Sequence, residues 1–267
     1  MDGSSFGAGS STWLGRLGNL RNVVRQEVVR RQLVAYHPPA GAAVLDVGAG
    51  QGTQAVALAT AGHRVVALEP DPAMRAACTQ VLAGQPAEVA ARVEVRPGGL
   101  ADLDAMDETF PLVLCHGVLM YLDSPDEALS ALSRRVAPGG VLSVVARNDQ
   151  ALAWRPAARR DWSAVLAALA EQGSARDEGR DATYVNELDV PARADSVEHL
   201  AHLLAGHGLT DSAWFGVRVA TDGAAVDEPA PPAAELAALL DAEEALGRTE
   251  PYRRMATLFH LVARRSG

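Results

Sequence analysis

The stretch that decides the fold is Val44-Leu45-Asp46-Val47-Gly48-Ala49-Gly50-Gln51-Gly52-Thr53. It begins as a buried strand, and three glycines then lead into a helix predicted at 51–61. Glycine in such a turn permits positive φ and lets a ligand approach the backbone closely, because no Cβ stands in the way. Amides at a helix N-terminus also attract carboxylate or phosphate groups. The stretch therefore predicts a binding loop between a strand and a helix.

Outward from this loop, short apolar runs alternate with helical patterns. The runs predict strands at 43–47, 64–68, 92–96, 112–115 and 141–146, with helices at 72–82 and 125–136 between them. Continuous apolar strands separated by helices indicate an α/β fold with a doubly wound parallel sheet.

The flanking regions predict a helix at 16–35 before the sheet and further elements after residue 148. These are helices at 162–171, 196–206 and 233–246, strands at 213–221 and 257–263, and a polar loop at 173–183. We expect residues 1–35 to form an N-terminal tail and lid helix, 36–148 the binding core and 149–195 a helical insert or lid. Residues 196–267 would complete the sheet.

The composition excludes several enzyme classes. The 267 residues carry a net charge of −9, and all 24 basic residues are arginine, since the chain contains no lysine. Schiff-base and pyridoxal-phosphate enzymes and P-loop proteins all require a lysine. Cys78 and Cys115 stand apart, so neither a disulfide framework nor a cysteine-rich zinc site is expected, and we predict no metal.

The predicted compartment is the cytoplasm. The N-terminus is rich in Gly and Ser and lacks the apolar segment of a signal peptide, and no run approaches 18 apolar residues. The acidic balance disfavours non-specific nucleic-acid binding, so we expect neither DNA nor a membrane as a partner. The oligomeric state is left open.

An acidic residue completes the pattern of a nucleoside site. Glu69 ends the second predicted strand, 17 residues after Gly52. A carboxylate at that place binds the two hydroxyls of a ribose. A dinucleotide fingerprint would need a third glycine at position 53, where this chain has Thr53. The spacing is instead G-x-G-x-G, with Asp46 two residues before the first glycine.

This pattern resembles motif I of the class I S-adenosylmethionine (SAM) methyltransferases. Ala137-Pro138-Gly139-Gly140, just before the fifth strand, resembles the Pro-Gly-Gly turn of that superfamily. The resemblance implies a seven-stranded, Rossmann-like methyltransferase sheet with an antiparallel last strand, and SAM as the cofactor bound by the core.

Four short motifs resemble, in order and spacing, the tRNA 5-carboxymethoxyuridine methyltransferase family. They are Val24-Arg25-Gln26, Cys115-His116-Gly117-Val118-Leu119-Met120-Tyr121, Gly216-Val217-Arg218-Val219 and Glu250-Pro251-Tyr252. That family methylates the carboxylate of a modified wobble uridine. It carries a Lys-rich stretch where this chain has the neutral to acidic residues 181–196, with Arg155, Arg159 and Arg160 nearby as substitutes. Two acceptors therefore stay open, tRNA and a small carboxylic acid or phenol.

The resemblance implies a role for each cofactor-binding residue. Arg25 would bind the SAM carboxylate, and Asp46 would support the loop or approach the SAM ammonium. Glu69 would bind the ribose. The loop glycines and the residues expected around the adenine are Gly48, Gly50, Gly52, Pro70, Met74, Leu100 and Asp102. Asp104 is the alternative to Asp102, and either acid could instead cap a helix.

On the acceptor side, the candidates are His116, Arg218 and Tyr252. His116 ends the fourth strand beside the methyl donor and would act as a general base for a protonated acceptor, whereas an ionised carboxylate would need none. Arg218 suits a carboxylate, and Tyr252 could hydrogen-bond beside it. Tyr121 and Trp154 could line the pocket.

Two alternatives lie outside this enzyme class. A non-catalytic SAM-binding or nucleoside-binding protein would share the cofactor residues, and an NAD(P) oxidoreductase would share the Gly-rich turn.

Overall fold

The computed structural model describes residues 18–186 and 189–267 and is built on a seven-stranded sheet in the order β3-β2-β1-β4-β5-β9-β8. The strands are β1 (Ala43–Val47), β2 (Arg64–Glu69), β3 (Val93–Pro97), β4 (Phe110–His116), β5 (Val136–Arg147), β6 (Ala182–Val185), β7 (Pro191–Ala194), β8 (Leu209–Val217) and β9 (Leu258–Arg265). Strands β1 to β5 are parallel, and β9 is antiparallel to β5 and β8. This confirms the predicted sheet with its antiparallel last strand.

The helices begin and end at residues that favour such boundaries. They are α1 (Leu20–Leu33), α2 (Thr53–Thr60), α3 (Pro72–Ala83), α4 (Ala87–Ala90), α5 (Asp126–Arg135), α6 (Trp154–Ala158), α7 (Trp162–Glu178), α8 (Val197–Gly206) and α9 (Ala233–Arg248). At the start of α3, the Asp71 carboxylate accepts the Met74 N–H at 2.8 Å. Pro72 follows as the first helical residue, where its missing N–H costs nothing.

The core lies on both faces of the sheet. Leu45 and Val47 pack with one buried cluster, and Val44, which precedes them in the strand, packs with another. Successive side chains of a strand point to opposite faces, so a sheet covered by helices on both sides needs apolar residues throughout. The parallel strands therefore end at one edge, where their loops are free to form a site.

The C-terminal third departs from the sequence prediction. Helix α7 runs to Glu178 rather than 171, and β6 pairs with β7 where a loop was predicted. Arg193 anchors this hairpin, because its guanidinium donates to the carbonyls of Leu119 and Leu122 and to the Asp195 carboxylate. The predicted strand at 213–221 instead spans 209–217, since Arg218 adopts a positive φ of 61°.

Two predictions about the ends and lids of the chain stay open. The tail at 1–12 and the first residues of the predicted helix at 16–35 lie outside the described residues. The division into lid, core and insert stays a prediction. Within the ranges 18–186 and 189–267, no helix combines the length and apolarity needed to cross a membrane.

Candidate active site

A cavity of about 1570 Å³ lies at the carboxyl ends of β1, β2, β4 and β5. Ligands of open α/β sheets bind at this edge, because the loops after the strands converge there. The cavity brings together most of the residues proposed from the sequence. Those that line it are Arg25, Asp46, Gly48, Gly50, Glu69, Pro70, Met74, Leu100, Asp102, Asp104, His116, Tyr121 and Arg218.

The Gly-rich loop turns tightly over the end of β2. The N–H groups of Gly48 and Ala49 donate to the Leu68 carbonyl at 2.8 and 3.0 Å. Gly48 has a φ of 73°, and a Cβ on it would overlap the Val118 side chain. The loop therefore requires glycine at this position both for its backbone conformation and for space.

Gly52 does not line the cavity, and its role as a cofactor contact stays a prediction. It precedes α2 with a φ of 82°, and a Cβ there would lie 2.5 Å from the Cys78 sulfur. Its function is to let α2 and α3 approach each other.

Two buried carboxylates flank the loop. Glu69 accepts the N–H of Gly50 at 2.7 Å with Oε2 and the N–H of Asp71 at 2.9 Å with Oε1. Burial nevertheless raises the pKa of Glu69. Asp46 is only 3% exposed, and burial together with the charge of Glu69 raises its pKa to about 7. A positively charged ligand group beside this pair would favour the ionised form of both.

The loop after β3 forms another wall of the cavity. The Asp102 carboxylate accepts the N–H of Gly99 at 2.8 Å, so it braces its own turn as a helix cap does. Asp104 pairs with Arg134 at 2.5 Å. Pro70 packs against Gly99, with its ring 3.6 Å from the place of a Cβ. This wall combines an apolar ring with a backbone turn and suits a planar base.

Within the described part of the chain, six arginines line the cavity, Arg21, Arg25, Arg134, Arg147, Arg155 and Arg218. Two of them bind the same buried carboxylate. Arg155 binds Asp222 through two hydrogen bonds of 2.7 and 2.9 Å, and Arg218 binds the same carboxylate. Arg147 donates to the carbonyls of Thr257 and Ala151, and its Nε is buried without a partner. Arg25 lies with its Nη1 4.0 Å from the place of a Cβ on Gly117, next to His116.

The charges of these side chains influence one another. Although burial alone would raise the pKa of Asp222, Arg218 and Arg155 hold it well below its usual range. Burial and the neighbouring Arg218 lower the pKa of Arg25 to about 10, and burial and Arg155 lower that of Arg147 to about 10. Arg25 and Arg147 therefore stay charged at neutral pH, and a wall lined by guanidinium groups attracts anions.

His116 is the first member of a row of hydrogen-bonded polar side chains that runs into the protein interior. Its Nε2 lies 2.8 Å from the Ser143 hydroxyl, which lies 2.8 Å from Nε2 of His260. Nδ1 of His260 is 2.9 Å from Oε1 of Gln32. Burial, with His260 and Arg25 nearby, lowers the pKa of His116 well below its ordinary value. The imidazole is therefore neutral at pH 7.

Two of the aromatic candidates for the acceptor pocket lie elsewhere. Tyr252 is 49% exposed in a short turn after α9 and does not line the cavity, so its contact with the acceptor stays a prediction. Trp154 does not line it either. Tyr121 does, and its hydroxyl accepts a hydrogen bond of 3.3 Å from Asn186. Burial raises the pKa of Tyr121 to about 12, so its hydroxyl stays protonated.

The sequence analysis missed Arg147, Tyr184, Asn186 and the side chains behind His116. Arg147 had a usable signal, because it is a cation at the carboxyl end of a buried strand, where ligands of parallel sheets bind. The centre of the Tyr184 ring lies 5.2 Å from Cζ of Arg147. Tyr184 directly follows the segment 173–183 that was predicted as a loop.

Comparison with known proteins agrees with this site. Residues 45–144 match a family model described as a methyltransferase domain. The matched residues run from β1 into β5 and contain the Gly-rich loop. A "Probable S-adenosylmethionine-dependent methyltransferase" of Mycolicibacterium smegmatis is 35% identical over 124 residues, which are 46% of this chain and 44% of the relative. The chain thus spans less than half of that relative.

Two further proteins match a larger share of this chain. A "Ubiquinone biosynthesis O-methyltransferase" of Methylobacterium sp. is 25% identical over 179 residues, or 57% of this chain and 70% of the relative. A solved SAM-dependent methyltransferase of Thermotoga maritima, a "possible histamine N-methyltransferase", superposes with a TM-score of 0.58. The match covers 97% of both chains at 16% identity, so it shows the shared fold.

The cavity fits SAM in charge and in shape. SAM carries a sulfonium and an ammonium, and Asp46 and Glu69 are carboxylates whose pKa values are raised by burial, so a cationic ligand group beside them would favour their ionised forms. Gly48 leaves room for a ligand along the backbone, and Arg25 provides a cation for a carboxylate.

Proposed function

We propose that this protein transfers a methyl group from SAM to an oxygen of a small anionic molecule. The observation that carries the proposal is the arginine wall, the part of the cavity lining formed by Arg147, Arg155 and Arg218. Arg155 and Arg218 bind the buried carboxylate of Asp222, and Arg147 lies close enough to interact electrostatically with all three groups. Guanidinium groups gathered on one wall favour the binding of an anionic acceptor.

Arginine also gives this wall a preference among anions. Its planar guanidinium binds a carboxylate or phosphate through two parallel hydrogen bonds. Arg147 lines the cavity, and its Nε is buried without a hydrogen-bond partner, so its donors are not all used within the protein. Tyr184, stacked near Arg147 at 5.2 Å, limits the directions from which the acceptor approaches.

The remaining residues would hold the cofactor. Those proposed are Arg25, Asp46, Gly48, Gly50, Glu69, Pro70, Leu100 and Asp102. When bound there, SAM supplies a methyl group on a positively charged sulfur, which a nucleophilic oxygen takes in a single displacement. The protein contributes by aligning the acceptor and keeping water out. The name of the Methylobacterium relative, an O-methyltransferase, supports oxygen as the acceptor atom.

The rim of the cavity favours a small molecule over tRNA. Asp123, Asp126 and Glu127 line the cavity around the loop after β4 and the start of α5, and Asp104 lines it on the loop after β3. RNA binding depends on cations that neutralise phosphates, and carboxylates at the entrance repel them. Arg155, named above as a substitute for the missing lysines, is directed inward onto Asp222. A wobble-uridine carboxylate remains the alternative acceptor.

Label transfer tests the proposal. The protein is incubated with methyl-labelled SAM and either total tRNA or a small-molecule extract that has been divided on an anion-exchange resin. We expect label to enter the retained, anionic fraction. Label in tRNA would establish the alternative acceptor, and label in the unretained fraction would refute an anionic substrate. SAM binding without any transfer would indicate a non-catalytic SAM-binding protein.

A variant connects this activity with the arginine wall. Arg147→Gln should raise the KM for the acceptor by about tenfold or more, because a charge-assisted contact is lost, and should leave the Kd for SAM unchanged. Ser133→Ala is the matched control, since Ser133 is also buried but belongs to α5, outside the cavity lining. Equal KM values in wild type and Arg147→Gln would contradict the assigned anion site.

A further inference from the structure

A row of buried polar side chains runs from α1 through β9 and β5 to the cavity. Gln32 Nε2 donates to the Gly216 carbonyl at 3.1 Å, and Gln32 Oε1 lies 2.9 Å from Nδ1 of His260. The Ser143 hydroxyl bridges Nε2 of His260 and Nε2 of His116, at 2.8 Å from each. Gln32, Ser143 and His260 are fully buried, so water does not compete for these bonds.

The direction of the first bonds follows from what each group is able to donate. The Gly216 carbonyl only accepts, so the Gln32 amide must present its NH2 group to it and its oxygen to His260. That oxygen also only accepts. Nδ1 of His260 therefore carries a hydrogen.

The rest of the row is then determined. His260 is neutral, because burial and the nearby Arg248 lower its pKa to about 3, so its Nε2 holds a lone pair. The Ser143 hydroxyl must donate to that nitrogen. Its oxygen is left to accept a hydrogen from Nε2 of His116. A neutral imidazole carries one hydrogen, so Nδ1 of His116 has the lone pair.

His116 lines the cavity, and its Nε2 is taken by Ser143, so Nδ1 is the ring nitrogen left for a ligand. A lone pair there attracts a hydrogen-bond donor and repels a carboxylate oxygen, which has no hydrogen to offer. The arginines of the wall attract a carboxylate or phosphate instead. The site can therefore bind two different groups of one acceptor, a hydroxyl at His116 and an anionic group at the arginines.

We propose that Gln32, His260 and Ser143 hold His116 as a base, and that the methyl group goes to a hydroxyl of an acceptor whose separate anionic group binds the arginines. This inference rests on the proposed function and names its substrate class, a phenol or alcohol that also carries a carboxylate or phosphate. The hydroxyl oxygen bonds to the methyl carbon as the carbon–sulfur bond breaks. Sulfur keeps that electron pair, and the hydroxyl proton goes to Nδ1 of His116.

A weakly basic imidazole suffices for this step. As the oxygen forms its bond to carbon it becomes positively charged, and its proton becomes far more acidic than in the free hydroxyl. Gln32, Ser143 and His260 act through His116 and are positioning residues, whereas His116 contacts the acceptor.

Nitrogen NMR of the cofactor-free protein tests the orientation of the row without any activity. In wild type, Nδ1 of His116 should give the resonance of an unprotonated ring nitrogen and Nε2 that of a protonated one, assigned through loss of both signals in His116→Gln. In Ser143→Ala both tautomers of the His116 imidazole should be populated. Ser133 is a buried serine whose hydroxyl has no partner, so Ser133→Ala should retain the wild-type pattern. The reverse pattern in wild type would overturn the proposal.

The labelled product tests the acceptor group. A methyl ether survives mild alkali, whereas a methyl ester is hydrolysed and releases volatile labelled methanol. We expect alkali-stable label, a loss of kcat of about 10²-fold or more in His116→Gln, and a loss of about tenfold in Ser143→Ala. Alkali-labile label would overturn the hydroxyl acceptor while leaving the methyltransferase activity established. Absence of all transfer would refute the proposed function itself.

Discussion

Replacing Asp46 by asparagine should stabilise the cofactor-free protein, and the gain should grow with pH. Asp46 is 3% exposed, and burial and the adjacent Glu69 raise its pKa to about 7. Ionising this carboxyl inside the folded protein is therefore unfavourable, whereas in the unfolded chain it is not. Asparagine has a similar shape and removes the charge.

The magnitude follows from the two pKa values. The unfolded chain loses this proton near pH 3.8 and the folded protein near pH 7, so between these values the folded state binds more protons and wild type loses stability as pH rises. The difference corresponds to about 4 kcal/mol at 1.36 kcal/mol for each pKa unit. This is an upper bound, reached above pH 7. Below pH 4 the variant and wild type should differ little on this account.

Urea unfolding at pH 4.5, 6, 7 and 8, without cofactor, measures the effect. The matched control is Asp222→Asn, because this buried carboxylate is stabilised by Arg155 and Arg218 and its removal takes a charged partner from each of them. Asp222→Asn should destabilise the protein by about 3 kcal/mol or more. If Asp46→Asn and wild type show parallel pH profiles, the assigned electrostatics of Asp46 are refuted.

Three further changes test the cofactor site, the Gly-rich loop and the turn after β8. Arg25→Ala should weaken SAM binding about tenfold or more in calorimetry through loss of a charge-assisted contact, and an unchanged Kd would remove Arg25 from the site. Gly48→Ala should lower both SAM affinity and stability, the latter by about 1–3 kcal/mol in urea unfolding, because its Cβ would overlap Val118 and its φ is 73°; wild-type values would show that the loop adapts. Glu243→Ala should cost about 2–3 kcal/mol in the same assay, since the carboxylate accepts three backbone N–H groups and the Thr221 hydroxyl, and a neutral effect would show that the turn after β8 does not depend on it.

The parallel half of the sheet was predictable because its signals are local. Each of the strands β1 to β5 is a short apolar run, and Gly48 and Gly50 mark a turn whose conformation few other residues adopt. Glu69 follows from the same logic, since it ends the strand next to that turn. These features depend on a residue and its near neighbours in sequence.

The row behind His116 was not predictable because it depends on long-range register. Ser143 and His260 are separated by 117 residues and meet only because β9 returns antiparallel beside β5. His116 joins them because β4 pairs with β5 so that it lies opposite Val145. No local pattern distinguishes these residues from ordinary polar positions. The hairpin of β6 and β7 escaped for a related reason, since its short strands contain charged residues that are buried by partners elsewhere, as Arg193 is.

The absence of lysine has a consequence for the arginine wall. Burial lowers the pKa of Arg147 to about 10, which leaves it charged at any physiological pH. The same burial acting on a lysine, whose ordinary pKa is about 10.4, would bring its titration towards neutrality, and the wall would lose its charge as pH rose. An arginine wall would therefore keep its affinity for an anion over a wide pH range. His116 is neutral in the same cavity, so in the proposed reaction the anion is bound and the proton is removed by different side chains.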